Sequence, residues 1–180
     1  MKKDKIKLLV ISAMLFCLGL VLPFFTGQIP KIGNMLLPMH IPVLLCGLIC
    51  GWQYGGVVGF CLPIIRSLLF GMPVLYPNAI GMAFELLTYG ILSGVLFEKS
   101  RWHCIKSLYK CLVITMLAGR IVWGVAQVFM LGLGDEGFSF ALFLTKGFVN
   151  AIPGLVLQFT LIPAIMLLLK KAHLMPRRQV

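Results

Sequence analysis

Acidic and histidine side chains are scarce in this 180-residue sequence. Five Asp and Glu stand against sixteen Lys and Arg, and three histidines are present. Glu85 is the one acid in the interior of a predicted membrane span, so an intramembrane protease built on paired acids is excluded. His40, His103 and His173 are scattered along the chain, which argues against a zinc protease. No Ser–His arrangement, phosphate-binding loop or dinucleotide fingerprint occurs either. The sequence therefore predicts no enzyme.

The CxxC motif is also absent, although the chain has six cysteines. Four of them lie in apolar runs, and two lie in or beside a basic connector. We expect small buried side chains at these positions, with no disulfide and no metal site.

Apolar residues make up 60% of the chain, and its mean hydropathy is +1.01. A single soluble core of this size could not bury so many apolar side chains. Runs close to the ~20 apolar residues that cross a bilayer recur along the sequence. The sequence predicts an all-α membrane protein with one integral domain over residues 1–180. Its six transmembrane helices are expected at residues 6–25, 36–51, 54–71, 78–98, 106–132 and 141–169.

Glycine and proline clusters separate these helices. "GWQYGG" at 51–56 predicts a tight turn between the second and third helices. "GMPVLYPN" at 71–78 separates the third helix from the fourth, and "GLGDEGFS" at 132–139 separates the fifth from the sixth. Pro38 and Pro42 lie in the short second span, so its outer end is expected to be irregular.

Basic residues are concentrated in three clusters, which hold twelve of the sixteen Lys and Arg. Positive loops face the cytoplasm, so this pattern places both termini there in a six-helix fold. The basicity therefore reflects topology and does not indicate a nucleic-acid partner. The clusters are Lys2, Lys3, Lys5 and Lys7, then Lys99, Arg101, Lys106 and Lys110, and finally Lys170, Lys171, Arg177 and Arg178.

Three of the predicted helices carry a single polar stripe at helical spacing. Polar side chains at membrane depth are expected to face the bundle interior or a wet cavity. Because the charged members lie at mid-depth or in the outer half, the stripes predict a chamber that opens outward. The stripes are Asn78, Met82, Glu85 and Tyr89 on the fourth helix, Arg120, Trp123 and Gln127 on the fifth, and Lys146, Asn150, Gly154 and Gln158 on the sixth.

Several of these residues also have a purely structural interpretation. Arg66 and Glu85 lie at matching depth, so they could form an ion pair between the third and fourth helices. Lys146 is close enough to the outer boundary to extend its ammonium group there. Asn150 and Gln158 could make interhelical hydrogen bonds, each contributing roughly 0.6 kcal/mol.

Arg120 is the hardest residue to explain by structure alone. It lies deepest in the bilayer, where a charge costs at least ~2.5 kcal/mol, and only Glu85 could neutralise it. With Arg66 and Lys146 also ionised, the chamber holds three positive charges against one negative. That excess suits an anionic or strongly polar solute. Trp123 would help to orient such a solute, with lipid contact or packing as its alternative role.

The segment "NMLLPMHIPVLLCGLICGWQYGGVVGFCLPIIRSLLFGMPVLYPNAIGMAFELLTYGILSGVLF" resembles the substrate-binding S components of energy-coupling factor (ECF) vitamin transporters. "GRIVWG" and "NAIPGLVLQ" fit the same family, so the resemblance covers nearly the whole chain. It implies a cell-membrane protein that binds a vitamin from outside. A transmembrane T component and two cytoplasmic ATPase subunits would be its partners. ATP would be hydrolysed by those ATPases, and no cofactor is expected in this chain.

The resemblance also implies roles for particular segments. The loop at residues 26–40 would cover the site. Ala13 and Cys17 would contact the T component, with ordinary packing inside the bundle as their alternative role. A pantothenate-like anion is the favoured solute because a carboxylate suits Arg120, and a pyridoxine-type or other vitamin precursor is the alternative. The candidate substrate-binding residues are His40, Arg66, Asn78, Glu85, Arg120, Trp123, Gln127, Lys146, Asn150 and Gln158.

Two other functions remain open at this point. A self-sufficient carrier is disfavoured by the lack of inverted repeats and of a charged path to the inner face. A structural subunit without a ligand would contain Arg66, Glu85 and Arg120 as a buried ion-pair cluster.

Overall fold

The computed structural model describes residues 2–26, 37–100, 105–131 and 151–172. Within these ranges the chain is helical and forms no strand, which confirms the predicted six-helix, all-α fold. Short helical turns at Leu22–Thr26 and Leu75–Ala79 extend the outer ends of two helices. The helices are α1 (Lys2–Val21), α2 (His40–Cys50), α3 (Trp52–Phe70), α4 (Ile80–Lys99), α5 (Ile105–Leu131) and α6 (Ile152–Lys171).

Five of the described helices, α1 and α3 to α6, are long and apolar enough to cross a membrane. Their lipid-facing surfaces carry large exposed apolar side chains, among them Met14, Leu68 and Phe129. Following the orientation that the basic clusters predict, we call the end of the bundle near Val21 and Phe70 the outer end. The opposite end, near Gly51, is the inner end.

Helix α2 is shorter than predicted and is enclosed by the other helices. It begins at His40, three residues after Leu37, whose left-handed conformation with φ 49° is not helical. Pro42 is tolerated in the first turn, where its missing N–H needs no helical partner. Eleven residues rise only ~16 Å, about half the hydrocarbon thickness. Every α2 residue is buried, so His40 lies inside the bundle.

The predicted turn "GWQYGG" is wrong in extent, since Gly51 alone makes the turn between α2 and α3. Its φ of 94° is a conformation that glycine adopts without strain, and its N–H donates to the Gly47 carbonyl at 3.1 Å. Helix α3 then begins at Trp52, so the remaining glycines of the motif are helical. By contrast, "GMPVLYPN" separates α3 from α4 as predicted, because α3 ends at Phe70 and Gly71 caps it in a left-handed conformation.

Glycines bring the backbones of α2, α3 and α4 into contact. A Cβ placed on Gly55 of α3 would lie 2.6 Å from the Gly47 Cα and 2.7 Å from the Gly90 carbonyl oxygen. Both neighbours are backbone atoms that cannot move aside. The same tight approach occurs at Gly59 and Gly94. With these contacts, α4 lies at the centre of the described helices and packs against α2, α3 and α5.

The predicted fifth helix, 106–132, agrees closely with α5. The described part of the sixth begins at Ile152, so its predicted first residues, 141–150, and the "GLGDEGFS" connector lie outside the described residues.

We predict that Gly55→Ala destabilises the bundle strongly, because the added methyl would force α3 away from two backbones. Overpacking of this kind costs about 1–3 kcal/mol or more. Gly56→Ala is the matched control, since its Cβ would meet only side-chain atoms, of Ile91 at 2.9 Å and Leu87 at 3.6 Å. Thermal unfolding in detergent should show a much larger fall in melting temperature for Gly55→Ala than for Gly56→Ala. Equal melting temperatures for the two variants would contradict the close approach.

Candidate functional site

A buried ion pair joins α4 to α5. The Nη1 atom of Arg120 lies 3.1 Å from Oε1 of Glu85, and the two side chains are 5% and 2% exposed. An isolated charge is costly at membrane depth, so each of these groups needs the other. The prediction that only Glu85 could neutralise Arg120 agrees with this geometry.

Two further side chains converge on the same carboxylate. The Tyr89 hydroxyl donates a hydrogen bond to Glu85 Oε1 at 3.1 Å, and His40 Nε2 lies 3.5 Å from that oxygen. The His40 and Tyr89 rings meet edge to face, with centroids 5.3 Å apart. His40 is the first residue of α2, so the positive end of that helix dipole also faces Glu85. We call His40, Glu85, Tyr89 and Arg120 the Glu85 cluster.

The cluster leaves hydrogen-bond donors of Arg120 unused. Its Nε and Nη2 atoms are buried and have no hydrogen-bond partner among the described residues. These two nitrogens form one edge of the planar guanidinium, the edge that binds a carboxylate through two parallel hydrogen bonds. Both ring nitrogens of His40 are likewise buried without a hydrogen-bond partner within the described ranges, although Nε2 lies near the carboxylate. The arrangement therefore presents a positive, bidentate donor edge inside the bundle.

The polar stripe on α5 continues outward from Arg120, as its spacing predicts. Gly81 of α4 allows α5 to approach, since a Cβ there would lie 2.7 Å from Gln127 Nε2 and 3.6 Å from Trp123 Cδ1. Gln127 is buried, and its Nε2 has no hydrogen-bond partner in the part of the chain that the structure describes. Trp123 is half-buried beside it. Further donor and aromatic groups thus line the outer side of the Glu85 cluster.

Arg66 lies elsewhere, and the ion pair with Glu85 that was its alternative structural role does not form. Its Nη1 donates to the Leu20 carbonyl at 2.6 Å, near the outer end of α1. The guanidinium also lies over the Phe24 and Phe70 rings, 5.2 and 5.5 Å from their centroids. The last carbonyls of a helix lack intrahelical partners, so Arg66 satisfies one of them and ties α1 to α3. Arg66 therefore makes no contribution to the charge of the Glu85 cluster, and the expected ratio of three positive charges to one does not describe it.

The other candidate residues occupy different surroundings. Asn78 is exposed in the turn before α4. Gln158 is fully buried, and neither of its amide atoms has a partner within the described residues. Its neighbour Phe159 stacks on Tyr109, which lies ~16 Å along α5 from Arg120 towards the inner end. The α6 backbone at Gln158 therefore lies towards the inner end of α5. Lys146 and Asn150 lie outside the described residues, as does most of the predicted covering loop.

The predicted docking residues are accessible. Ala13 and Cys17 are exposed, and they lie four residues apart on one face of α1. Ser12 and Gly19 face the other way and are buried, with Gly19 packed against Leu62 of α3. The small residues of α1 thus divide between internal packing and an outward face.

Two contributors to the site are not among the candidate residues that the sequence predicts. Tyr89 completes the Glu85 cluster, and Gly119 accommodates its ring. Tyr89 follows Glu85 by four residues on the same stripe, so helical spacing carried a signal for it. Gly119 precedes Arg120 and gave no comparable signal.

A separate cleft of about 400 Å³ lies at the inner end. It is lined by Cys50, Gly51, Trp52, Gln53 and Glu98. Glu98 is thirteen residues along α4 from Glu85, ~20 Å away, so this cleft is distinct from the cluster. Over the described ranges, no three metal-ligating side chains come together.

Taken together, the helices and the Glu85 cluster define a multi-pass membrane protein with a buried polar site. A family model for the ECF transporter, substrate-specific component, matches residues 7–166. The chain belongs to this family. It is therefore a transport-related, substrate-binding protein of ECF-type vitamin or micronutrient uptake, which works with T and ATPase components. No curated protein and no solved structure is significantly similar to it.

We predict that Arg66→Met lowers the free energy of unfolding by about 1.5–3 kcal/mol, the usual contribution of a hydrogen bond to a charged group. The variant keeps the apolar stem and loses the contacts to the Leu20 carbonyl and the two rings. Thr160→Val is the control, because that hydroxyl is exposed and bonds only within α6. Thermal unfolding measures the difference. A melting temperature like that of the control would mean that Arg66 does not tie α1 to α3.

Proposed function

We propose that this chain binds a small anionic vitamin, pantothenate-like in chemistry, by seating its carboxylate on the Nε–Nη2 edge of Arg120. One observation carries the proposal: these two donors are buried and unpartnered among the described residues, although Nη1 of the same group is held by Glu85. Buried donors without partners are costly, and a bidentate carboxylate would satisfy both of them.

The residues outward of Arg120 suit the rest of such a ligand. Gln127 offers its Nε2, which has no partner among the described residues, as a donor seven residues, or ~10 Å, further along α5. Trp123 lies between the two and offers an apolar surface. A carboxylate with a hydrogen-bond acceptor near its far end matches this order of groups. His40 connects the site to the covering loop that precedes α2.

Binding from the outer side fits the architecture. The first residue of α2 lies near Glu85, so the shortened helix occupies only the inner part of the bundle at this position. The loop at residues 26–40 would cover the ligand, and Lys146 and Asn150 would approach from the sixth helix. The cell membrane, a T component and two ATPase subunits complete the proposal, with no cofactor in this chain.

We expect pantothenate to raise the melting temperature of the purified protein without ATP, because a ligand that binds only the folded state stabilises it. The same melting-temperature measurement should be made with a panel of other vitamins, namely pyridoxine, thiamine, riboflavin, biotin and nicotinate. Pantothenol, in which a primary alcohol replaces the carboxylate, should bind at least about tenfold more weakly, as expected for a lost charged contact.

The matched variant is Arg120→Lys, which keeps the charge beside Glu85 and removes the bidentate edge. This variant should bind pantothenate about tenfold or more weakly than the wild type, and its preference for pantothenate over pantothenol should be smaller. Thr88→Val is the control, since this α4 hydroxyl is exposed and bonds to its own helix. Unchanged pantothenate affinity in folded Arg120→Lys would remove Arg120 from the site. Binding of pyridoxine in place of pantothenate would overturn the anionic ligand while leaving vitamin binding in place.

We further propose that the outward face of α1 at Ala13 and Cys17 contacts the T component. Combining Ala13→Leu with Cys17→Leu should reduce copurification of the T and ATPase components, because larger side chains prevent close helix approach. Vitamin binding by the isolated chain should be unaffected.

Ile114→Trp on the exposed face of α5 enlarges a mid-membrane side chain elsewhere and serves as control. Full copurification of the double α1 variant would show that the partner contacts another surface.

A further inference from the structure

The side chain of Tyr89 is held more tightly than its helical position alone would require. Its side chain is fully buried, and its ring lies directly over Gly119 of α5. A Cβ at Gly119 would fall within the space of the ring, so the absence of a side chain there is what admits the tyrosine. Glycine at position 119 thus has a packing function beside Arg120.

The hydroxyl of Tyr89 is directed to the carboxylate of Glu85. It lies 3.1 Å from Glu85 Oε1 and 3.5 Å from the Met116 carbonyl oxygen. A phenol has one hydrogen to donate, and the shorter contact to the charged acceptor is the stronger one. Tyr89 therefore holds Oε1, the same oxygen that receives Nη1 of Arg120.

The position of that oxygen sets the direction of the arginine. A guanidinium is planar, so fixing Nη1 at one point restricts where the opposite Nε–Nη2 edge can face. Without the tyrosine hydroxyl, the carboxylate would have His40 and Arg120 as its remaining neighbours in the cluster, and it could turn with the arginine. Buried sites depend on supporting groups of this kind to hold their donors in a productive geometry.

We infer that Tyr89, seated on Gly119, is a positioning residue that orients the ligand-binding edge of Arg120 through Glu85. The inference rests on the proposed function, in which that edge receives a carboxylate. Tyr89 itself touches no ligand in this scheme. The role differs from plain packing because it depends on the hydroxyl and on the direction of one side chain.

The arginine can be observed without a ligand. NMR spectroscopy can observe the arginine side chains of protein labelled with ¹⁵N-arginine in detergent. The chain has five arginines, so the spectrum contains few Nε–H signals. Arg120→Lys identifies the Arg120 signal by its loss. We expect Tyr89→Phe, which removes one oxygen, to shift or broaden this signal. Thr88→Val removes a neighbouring α4 hydroxyl that does not reach the cluster, and it should leave the Arg120 signal unchanged.

A second variant tests the packing of Tyr89 by changing its neighbour on α5. Gly119→Ala should displace the Tyr89 ring and perturb the Arg120 signal in the same way. If its overpacking prevents folding, Tyr89→Phe still tests the inference, because it adds no atom and leaves the ring in place.

Ligand affinity provides the functional readout. Tyr89→Phe should lower the affinity for pantothenate by roughly three- to tenfold, the range expected for one lost hydrogen bond. It should lower the affinity for pantothenol less. A merely structural role would weaken both ligands alike. An Arg120 signal in Tyr89→Phe that coincides with the wild-type signal, or equal losses for the two ligands, would overturn the inference.

Failure of the proposed function gives a different result. In that case the wild-type protein would bind no vitamin of the panel, while Tyr89→Phe would still move the Arg120 signal. That outcome would support Tyr89 as the group that orients Arg120, and it would reject the carboxylate as the ligand of its free edge.

Discussion

The ion pair between Glu85 and Arg120 is the interaction on which the described site depends. Two opposite charges at membrane depth are tolerable only together, since either one alone would be left buried and uncompensated. The pair joins α4 to α5, and its carboxylate also receives Tyr89 and faces His40 of α2. Groups from three helices thereby meet at a single oxygen atom, and in the proposed scheme this oxygen sets the direction of the Arg120 donors that have no partner among the described residues.

Helix packing makes this convergence possible. Gly47, Gly55 and Gly90 let α2, α3 and α4 touch through their backbones, so that α4 lies centrally. Helix α2 is short enough for its first residue to lie beside Glu85, where the positive end of the helix dipole favours a carboxylate. Gly119 then admits the Tyr89 ring between α4 and α5. Small residues in the sequence thus determine where the large polar residues can meet.

Much of the fold follows from sequence because long apolar runs and basic clusters constrain membrane helices closely. The α5 stripe was also predictable, since Arg120, Trp123 and Gln127 follow helical spacing. Depth alone could not assign the partner of Glu85, because Arg66 lies at a similar level yet faces α1. Glycines mark turns and close helix contacts alike, so "GWQYGG" was extended too far as a turn. Spacing within α6 does not fix the register of that helix against α5, so the sequence alone does not set the distance between Gln158 and Arg120.

The geometry changes the expected basis of ligand recognition. An excess of positive charge was the reason to expect an anion, yet Arg66 is engaged at α1 and Glu85 balances Arg120. What remains is a set of buried donors without partners among the described residues. Such donors lose their hydrogen bonds to water on folding, and they recover that loss only when an acceptor of matching shape arrives. A carboxylate that fits the guanidinium edge recovers two such bonds at once. In the proposed binding mode, selectivity would therefore depend on the direction of these donors more than on net charge, and the groups that orient Arg120 would matter as much as the arginine itself.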